Sequence, residues 1–226
     1  MKMKTTVFAG SVGMLAIAAA SVASPVTGMS IETVAYNDAA APLMDGYTTH
    51  RIYAYLEAGA RLDAVYGNAA GALSIYTSDG SGFYQNVLGG DNSLQINPGL
   101  FGFFPSVEYD SFVTIGLLDS TGNALLVAGF EDGGGWGDFN NAGMLATSNG
   151  SWLVTPADSQ GDPVDGRVLI GQFTTNSGVE VLGQVNLQGS GADGETYQVV
   201  GATWVPAPGA LALLGIAGMA GRRRRR

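Results

Sequence analysis

Between Ser24 and Val205 no hydrophobic repeat of helical period is sustained. Short runs rich in Val, Ile, Tyr, Phe and Thr are broken instead by clusters of Gly, Asp and Asn, the punctuation of strands and turns. Ten segments read as strands: 31–36, 50–56, 62–66, 73–76, 112–118, 124–130, 152–154, 168–174, 179–187 and 197–205. The clearest alternation sets Val179, Val181, Gly183, Val185 and Leu187 against Glu180, Leu182, Gln184, Asn186 and Gln188. A strand with one wet face belongs to an antiparallel sheet. About ten such strands predict an all-β fold, a single antiparallel β-sandwich of jelly-roll-like type over residues 24–204. No fixed blade period or β-helix repeat is present, which argues against a propeller or solenoid. Turns are expected at Asp79-Gly80, 119–122, Asn149-Gly150 and Asp193-Gly194, each with a residue that tolerates positive φ.

Charge divides the chain into three parts. Lys2 and Lys4 open it and Arg222 to Arg226 close it, so Arg51, Arg61 and Arg167 are the only basic residues between. All 19 acidic residues fall between Glu32 and Glu195, which gives the body a net charge of −16 against −9 for the whole chain. A body this acidic repels nucleic acid and anionic lipid, so no nucleic-acid partner is expected. The same charge suits divalent cations or solubility outside the cell. Cysteine is absent and His50 is the single histidine, which excludes disulfides, thiolate chemistry and multi-histidine metal sites.

The first 23 residues carry a basic start at Lys2 and Lys4, an apolar run from Val7 to Ala20, and small residues at Ser21 and Ala23. That order is a secretory signal peptide, with cleavage expected after Ala23. At the other end, 208–221 is an apolar run of 14 residues. As a helix it would reach about 21 Å, short of a hydrocarbon core roughly 30 Å thick. The arginines that follow can snorkel, and they favour the cytoplasmic side, so the body is expected outside. Contact with the membrane is then made through this tail alone.

The string Val205-Pro206-Ala207-Pro208, the Ala/Leu/Gly run after it and the arginines Arg222, Arg223, Arg224, Arg225 and Arg226 resemble the PEP-CTERM sorting domain. Ala207 stands where that family most often has Glu. The resemblance covers 205–226. It implies recognition and removal of the tail by an exosortase-type processing enzyme, after export and the action of signal peptidase. It also implies a Gram-negative-type producer of exopolysaccharide, with the protein transiently anchored and then at the surface or outside. The body resembles exported domains of unknown function that carry the same tail, which implies no activity.

Searching the body for chemistry yields no catalytic residue. A Ser-His-Asp triad would have to use His50, and no Gly-x-Ser-x-Gly elbow occurs. Glu108 with Asp110, and Glu131 with Asp132, are carboxylate pairs of the kind that hydrolyse glycosides, and they read equally as solvated strand ends. Loop 131–141 gathers the oxygen ligands calcium takes, with Asp132, Asp138, Asn140 and Asn141 as candidates. Loop 158–165 is a second such loop, and an ordinary turn-rich loop is the competing reading of both. Trp136 and Tyr84 are candidate platforms for sugar rings, Tyr84 beside Gln85 and Asn86. A loop Trp also serves to plug the end of a sandwich. The sequence thus points to an exported, non-enzymatic surface or exopolysaccharide-matrix protein that needs no cofactor. A calcium-dependent carbohydrate-binding module and a carbohydrate-active hydrolase or lyase are the rival expectations.

Overall fold

The computed structural model describes residues 24–130 and 135–204. The expected signal peptide (1–23), the sorting tail from Val205 to Arg226, and Asp132 lie outside them. In chain order the strands are β1 (Val26–Val34), β2 (Tyr47–Leu56), β3 (Arg61–Gly67), β4 (Leu73–Thr77), β5 (Phe112–Val113), β6 (Leu126–Gly129), β7 (Leu145–Thr147), β8 (Gly150–Leu153), β9 (Arg167–Asn176), β10 (Val181–Ser190) and β11 (Thr196–Thr203). One helical turn, α1 (Trp136–Asn140), precedes β7. The fold is all-β and sandwich-like. One sheet has the order β1-β2-β9-β5, and the other runs β6-β8-β3-β10-β4-β7 with β11 also on β10. Every strand pairing is antiparallel.

Each of the ten expected strand segments overlaps an observed strand. In β10 the alternation places Val181, Val185 and Leu187 in the core between the sheets. Asn186 is buried as well, on the opposite face. Its Nδ2 donates to the Gly71 carbonyl at 2.6 Å, and its Oδ1 accepts from the Gly201 N–H at 2.9 Å. These bonds satisfy two irregularities at once. Gly71 lies in the kink between β3 and β4, which follow one another along a single edge of β10. Gly201 lies where β11 bulges opposite Asn186.

β9 departs from simple alternation, because it is buried on both faces. A bulge at Ile170, between the pairs Ile52–Gly171 and Tyr53–Leu169, shifts the parity of the strand. Val168, Ile170 and Phe173 consequently share the core, while Gln172 and Thr174 point away from it. Their outer face is covered by the long excursion between β4 and β6. That excursion contains β5 and the 3-10 turns Ser93–Gln95, Pro98–Leu100 and Pro105–Tyr109, the first two capped by the side chains of Asn92 and Asn97. A second small cluster of Ala40, Met44 and Tyr109 packs there, with Tyr36, Tyr47 and Tyr84 against it.

Two expectations are refined. The segment 112–118 pairs as a strand only over Phe112–Val113, since a tight turn (Leu117 N–H to Ile115 carbonyl, 2.9 Å) leads the chain away. The three-residue strand β7 carried too short an alternation to be read from sequence.

The three arginines of the body are all engaged. Arg61 bridges Asp63 at 2.6 Å and Asp162 at 3.2 Å, and donates to the Asp158 carbonyl at 2.6 Å. Arg51 donates to Gln172 Oε1 at 2.9 Å. Arg167 pairs with Glu32 and lies 4.0 Å above the ring centre of Tyr53. Trp204, the last described residue, is buried, and its indole N–H donates to the Val181 carbonyl at 2.8 Å.

Three stability predictions follow from this packing. Trp204→Ala leaves a cavity and an unpaired carbonyl, and should lower unfolding free energy by about 3–5 kcal/mol. Val87→Ala, at a side chain 97% exposed, should change it by less than about 0.5 kcal/mol. Arg61→Ala strands the buried Asp63 carboxylate and should cost about 3 kcal/mol. Urea unfolding monitored by tryptophan fluorescence reads all three, and equal midpoints for the Trp204 and Val87 variants would refute the anchoring role.

Candidate functional site: a tyrosine and amide groove

The site begins with a buried carboxylate. Asp110 follows the 3-10 turn Pro105–Tyr109 and is fully buried. Its Oδ1 accepts from the Asn86 N–H at 2.7 Å and its Oδ2 from the Gly90 N–H at 2.8 Å, so loop 86–90 wraps around it. Gly89 must be glycine, because a Cβ there would overlap Asp110 Oδ2. Burial pushes the Asp110 carboxyl up to about 7 despite backbone donors at Asn86, Gly90 and Ser111, and the nearby Asp91 charge adds to the rise.

The other wall comes from α1. Phe139 enters the core beside Phe83 and Phe173, with ring centres 5.7 and 6.1 Å away. This draws residues 140–144 alongside 82–85, where the Phe83 N–H donates to the Ala142 carbonyl at 2.9 Å. A Cβ on Gly82, which has φ +80°, would collide with that carbonyl oxygen.

Three adjoining recesses open along this seam. The first, about 410 Å³, is lined by Tyr76, Thr77, Gly80, Gly82, Gly143 and Met144. The second, about 380 Å³, shares Gly82 and adds Tyr47, Phe83, Tyr84, Gln85 and Asn176. The third, about 310 Å³, shares Gln85 and adds Asn86, Asp91, Gln95 and Asn140. Together they form a groove in which aromatic and apolar surface lies beside carboxamides. The Tyr84 and Tyr47 rings meet edge to face at 5.1 Å, and the Tyr84 hydroxyl accepts from Asn86 Nδ2 at 2.9 Å. The Tyr84 N–H donates to the Thr174 carbonyl of β9 at 2.8 Å, so this wall is held rigidly. Gln85 Nε2 is buried and has no hydrogen-bond partner.

Of the residues singled out from sequence, Tyr84 and Asn140 come together in this groove. Asn140 Nδ2 reaches Asp91 Oδ2 at 3.3 Å. Trp136 stacks on Phe130 at 4.2 Å between ring centres and packs against the core, and it lines none of the three recesses. Asp138 and Asn141 are exposed, and Asn141 Nδ2 is spent on the Gly137 carbonyl at 2.7 Å. Among the described residues no cluster of three or more His, Cys, Asp or Glu side chains is placed to hold a metal. Glu108 accepts from Asn37 on the surface, whereas its partner in the sequence pair, Asp110, is closed off beneath loop 86–90. His50 lines a separate recess of about 220 Å³ with Ile31, Thr48 and Val181, where burial lowers its pKa. Loop 158–165 borders another cleft of about 420 Å³ with Tyr53 and Arg167; its Asp158 caps a 3-10 turn and its Asp162 pairs with Arg61.

Tyr47, Tyr76 and Asn176 are groove residues that the sequence did not mark. Tyr76 alone had a legible signal, since it is the outward residue of β4 between the buried Ile75 and Thr77.

The buried carboxyl predicts a pH dependence. The folded chain holds the Asp110 proton more tightly than the unfolded chain, whose aspartates titrate near 3.8. This contribution to stability is complete below about pH 4 and is lost as pH rises through about 7. Its size is on the order of 4 kcal/mol, at about 1.4 kcal/mol per pH unit. Chemical unfolding at a series of pH values should show that loss in the native chain, and Asp110→Asn should remove most of it. An Asn variant with the native pH slope would exclude Asp110 as the source. No family model matches the chain, and no curated protein or solved structure matches it.

Proposed function

We propose that the chain is an exported, non-catalytic protein of the cell surface or exopolysaccharide matrix, processed at both ends. Signal peptidase releases it at Ser24, and an exosortase-type enzyme acts at the tail that begins Val205-Pro206-Ala207-Pro208. The observation that carries this reading is the sequence order itself: a three-part leader, an acidic body, and a Pro-rich, apolar, arginine-ended tail. The fold is compatible with it, since Trp204 ties the last described residue to β10 directly before the sorting motif. The body charge of −16 favours solubility outside the cell and opposes binding to nucleic acid or anionic lipid.

The scaffold is read as a jelly-roll-like sandwich, supported by the connections β2 to β3, β4 to β5, β5 to β6, β8 to β9 and β9 to β10, which all pass from one sheet to the other. A second reading, the carbohydrate-binding module, is favoured by one specific feature, the tyrosine and amide groove. It joins the first reading naturally, because a matrix protein with a sugar-binding groove is held in the layer it inhabits.

Processing is tested by intact-mass measurement on protein recovered from the producing organism. The expected species starts at Ser24 and lacks the segment beyond about Pro208. A surface species that still carries Arg222 to Arg226 would sink the exosortase assignment and leave a plain tail anchor.

A further inference from the structure

We propose that the groove selects uncharged glycans, with Gln85 as its central donor and Tyr76 and Tyr84 as its apolar contacts; this rests on the carbohydrate-binding reading above. Gln85 is the residue shared by the second and third recesses. Among the described residues the buried polar side-chain atoms without a partner are His50 Nε2, Tyr66 Oη and Gln85 Nε2, and of these Gln85 alone belongs to the groove. A buried donor left unpaired is unfavourable, and a ligand hydroxyl removes that cost. Reaching a ligand from that buried position takes a turn about the terminal torsion, which is soft in glutamine.

The remaining lining fits the same ligand. Carboxamides both donate and accept: Asn176 adds another, and Gln95 and Asn140 each spend one bond, on Asn92 and Asp91 respectively, and keep further capacity, while Asn86 is held by Tyr84, Ser106 and Leu88. A sugar hydroxyl also does both, so amides match it without charge. Tyr76, 41% exposed, and Met144, 44% exposed, offer apolar surface at one end for the C–H faces of a pyranose ring.

Charge decides against acidic polymers. No arginine or lysine lines any of the three recesses. Arg51, Arg61 and Arg167 are engaged elsewhere. An anionic chain entering the groove would meet Asp91 and a body of −16 with no cation to pair with. The groove is also preorganised, through Asp110 on one wall and Phe139 on the other, so binding requires little ordering of the protein.

The test is the full chain on an array of neutral glucans, mannans, galactans and N-acetylated glycans, beside uronic-acid polymers and free amino-sugar polymers, at low and physiological salt. Binding to at least one neutral glycan that is insensitive to salt is the expected result. Tyr76→Ala, at a side chain 41% exposed, and Gln85→Leu should each weaken it by about tenfold or more at unchanged near-UV circular dichroism. Tyr53→Ala, in the separate cleft, should leave it unaltered. Binding confined to uronic-acid or amino-sugar polymers and abolished by Tyr76→Ala would overturn the selectivity while leaving a glycan groove. Binding to none of the array, or binding untouched by Tyr76→Ala and Gln85→Leu, would overturn the groove itself.

Discussion

Much of this structure depends on how the outer face of β9 is satisfied. A central strand of a two-layer sandwich ordinarily turns one face to the core and one to water. Here both faces are buried, so the polar groups of whatever covers the outer face need partners. Gln172 and Thr174 supply them. Gln172 Nε2 donates to the carbonyls of Glu108 and Asp110 at 2.9 and 3.0 Å, and Thr174 Oγ1 donates to that of Tyr109 at 2.6 Å. Ser111 Oγ accepts from the Thr174 N–H at 2.9 Å, and the Thr49 and Thr174 hydroxyls share a bond of 2.6 Å. Side chains thus do for residues 108–111 what a ladder of strand bonds does elsewhere, and they fix the segment that presents Asp110 to loop 86–90.

From that point the groove follows by a chain of contacts. Asp110 sets the loop, the loop sets Asn86, and Asn86 fixes the Tyr84 hydroxyl and bonds Ser106 at 3.0 Å. Across the seam, the aromatic cluster of Phe83, Phe139 and Phe173 brings in residues 140–144. A hydrogen-bonded wall and an apolar wall therefore meet, which is the mixture of positioned polar groups and aromatic surface found in small-ligand sites.

The excess of carboxylates is managed by unequal means. Arg61 holds Asp63 and Asp162 and reaches the carbonyl of Asp158, so one cation ties loop 155–162 to β3. Asp110 has no cation and is raised by burial instead, with backbone N–H groups limiting the rise. Asp158 and Asp193 accept from backbone N–H groups two residues on, at 2.9 and 3.0 Å. Such local bonds make turn formers of these acidic residues.

The sequence alone determined that this chain forms strands, because turn residues and the period of β10 are local properties and survive any arrangement of the sheets. It also carried the targeting reading at both ends and the choice of Tyr84 as a candidate sugar platform, for an aromatic beside two amides is a local pattern. It could not show that β9 is buried twice, since Gln172 and Thr174 look like a wet face until the distant segment 105–111 is laid over them. Nor could it separate Trp136 from Tyr84: both are aromatics in polar loops, and only packing turns one onto Phe130 and leaves the other in the groove. Tyr47, Tyr76, Gln85, Asn140 and Asn176 come from five separate stretches of chain, and what assembles them is the seam between α1 and loop 82–85. A groove built from long-range contacts leaves no periodicity behind, so the tertiary structure alone decided where it lies.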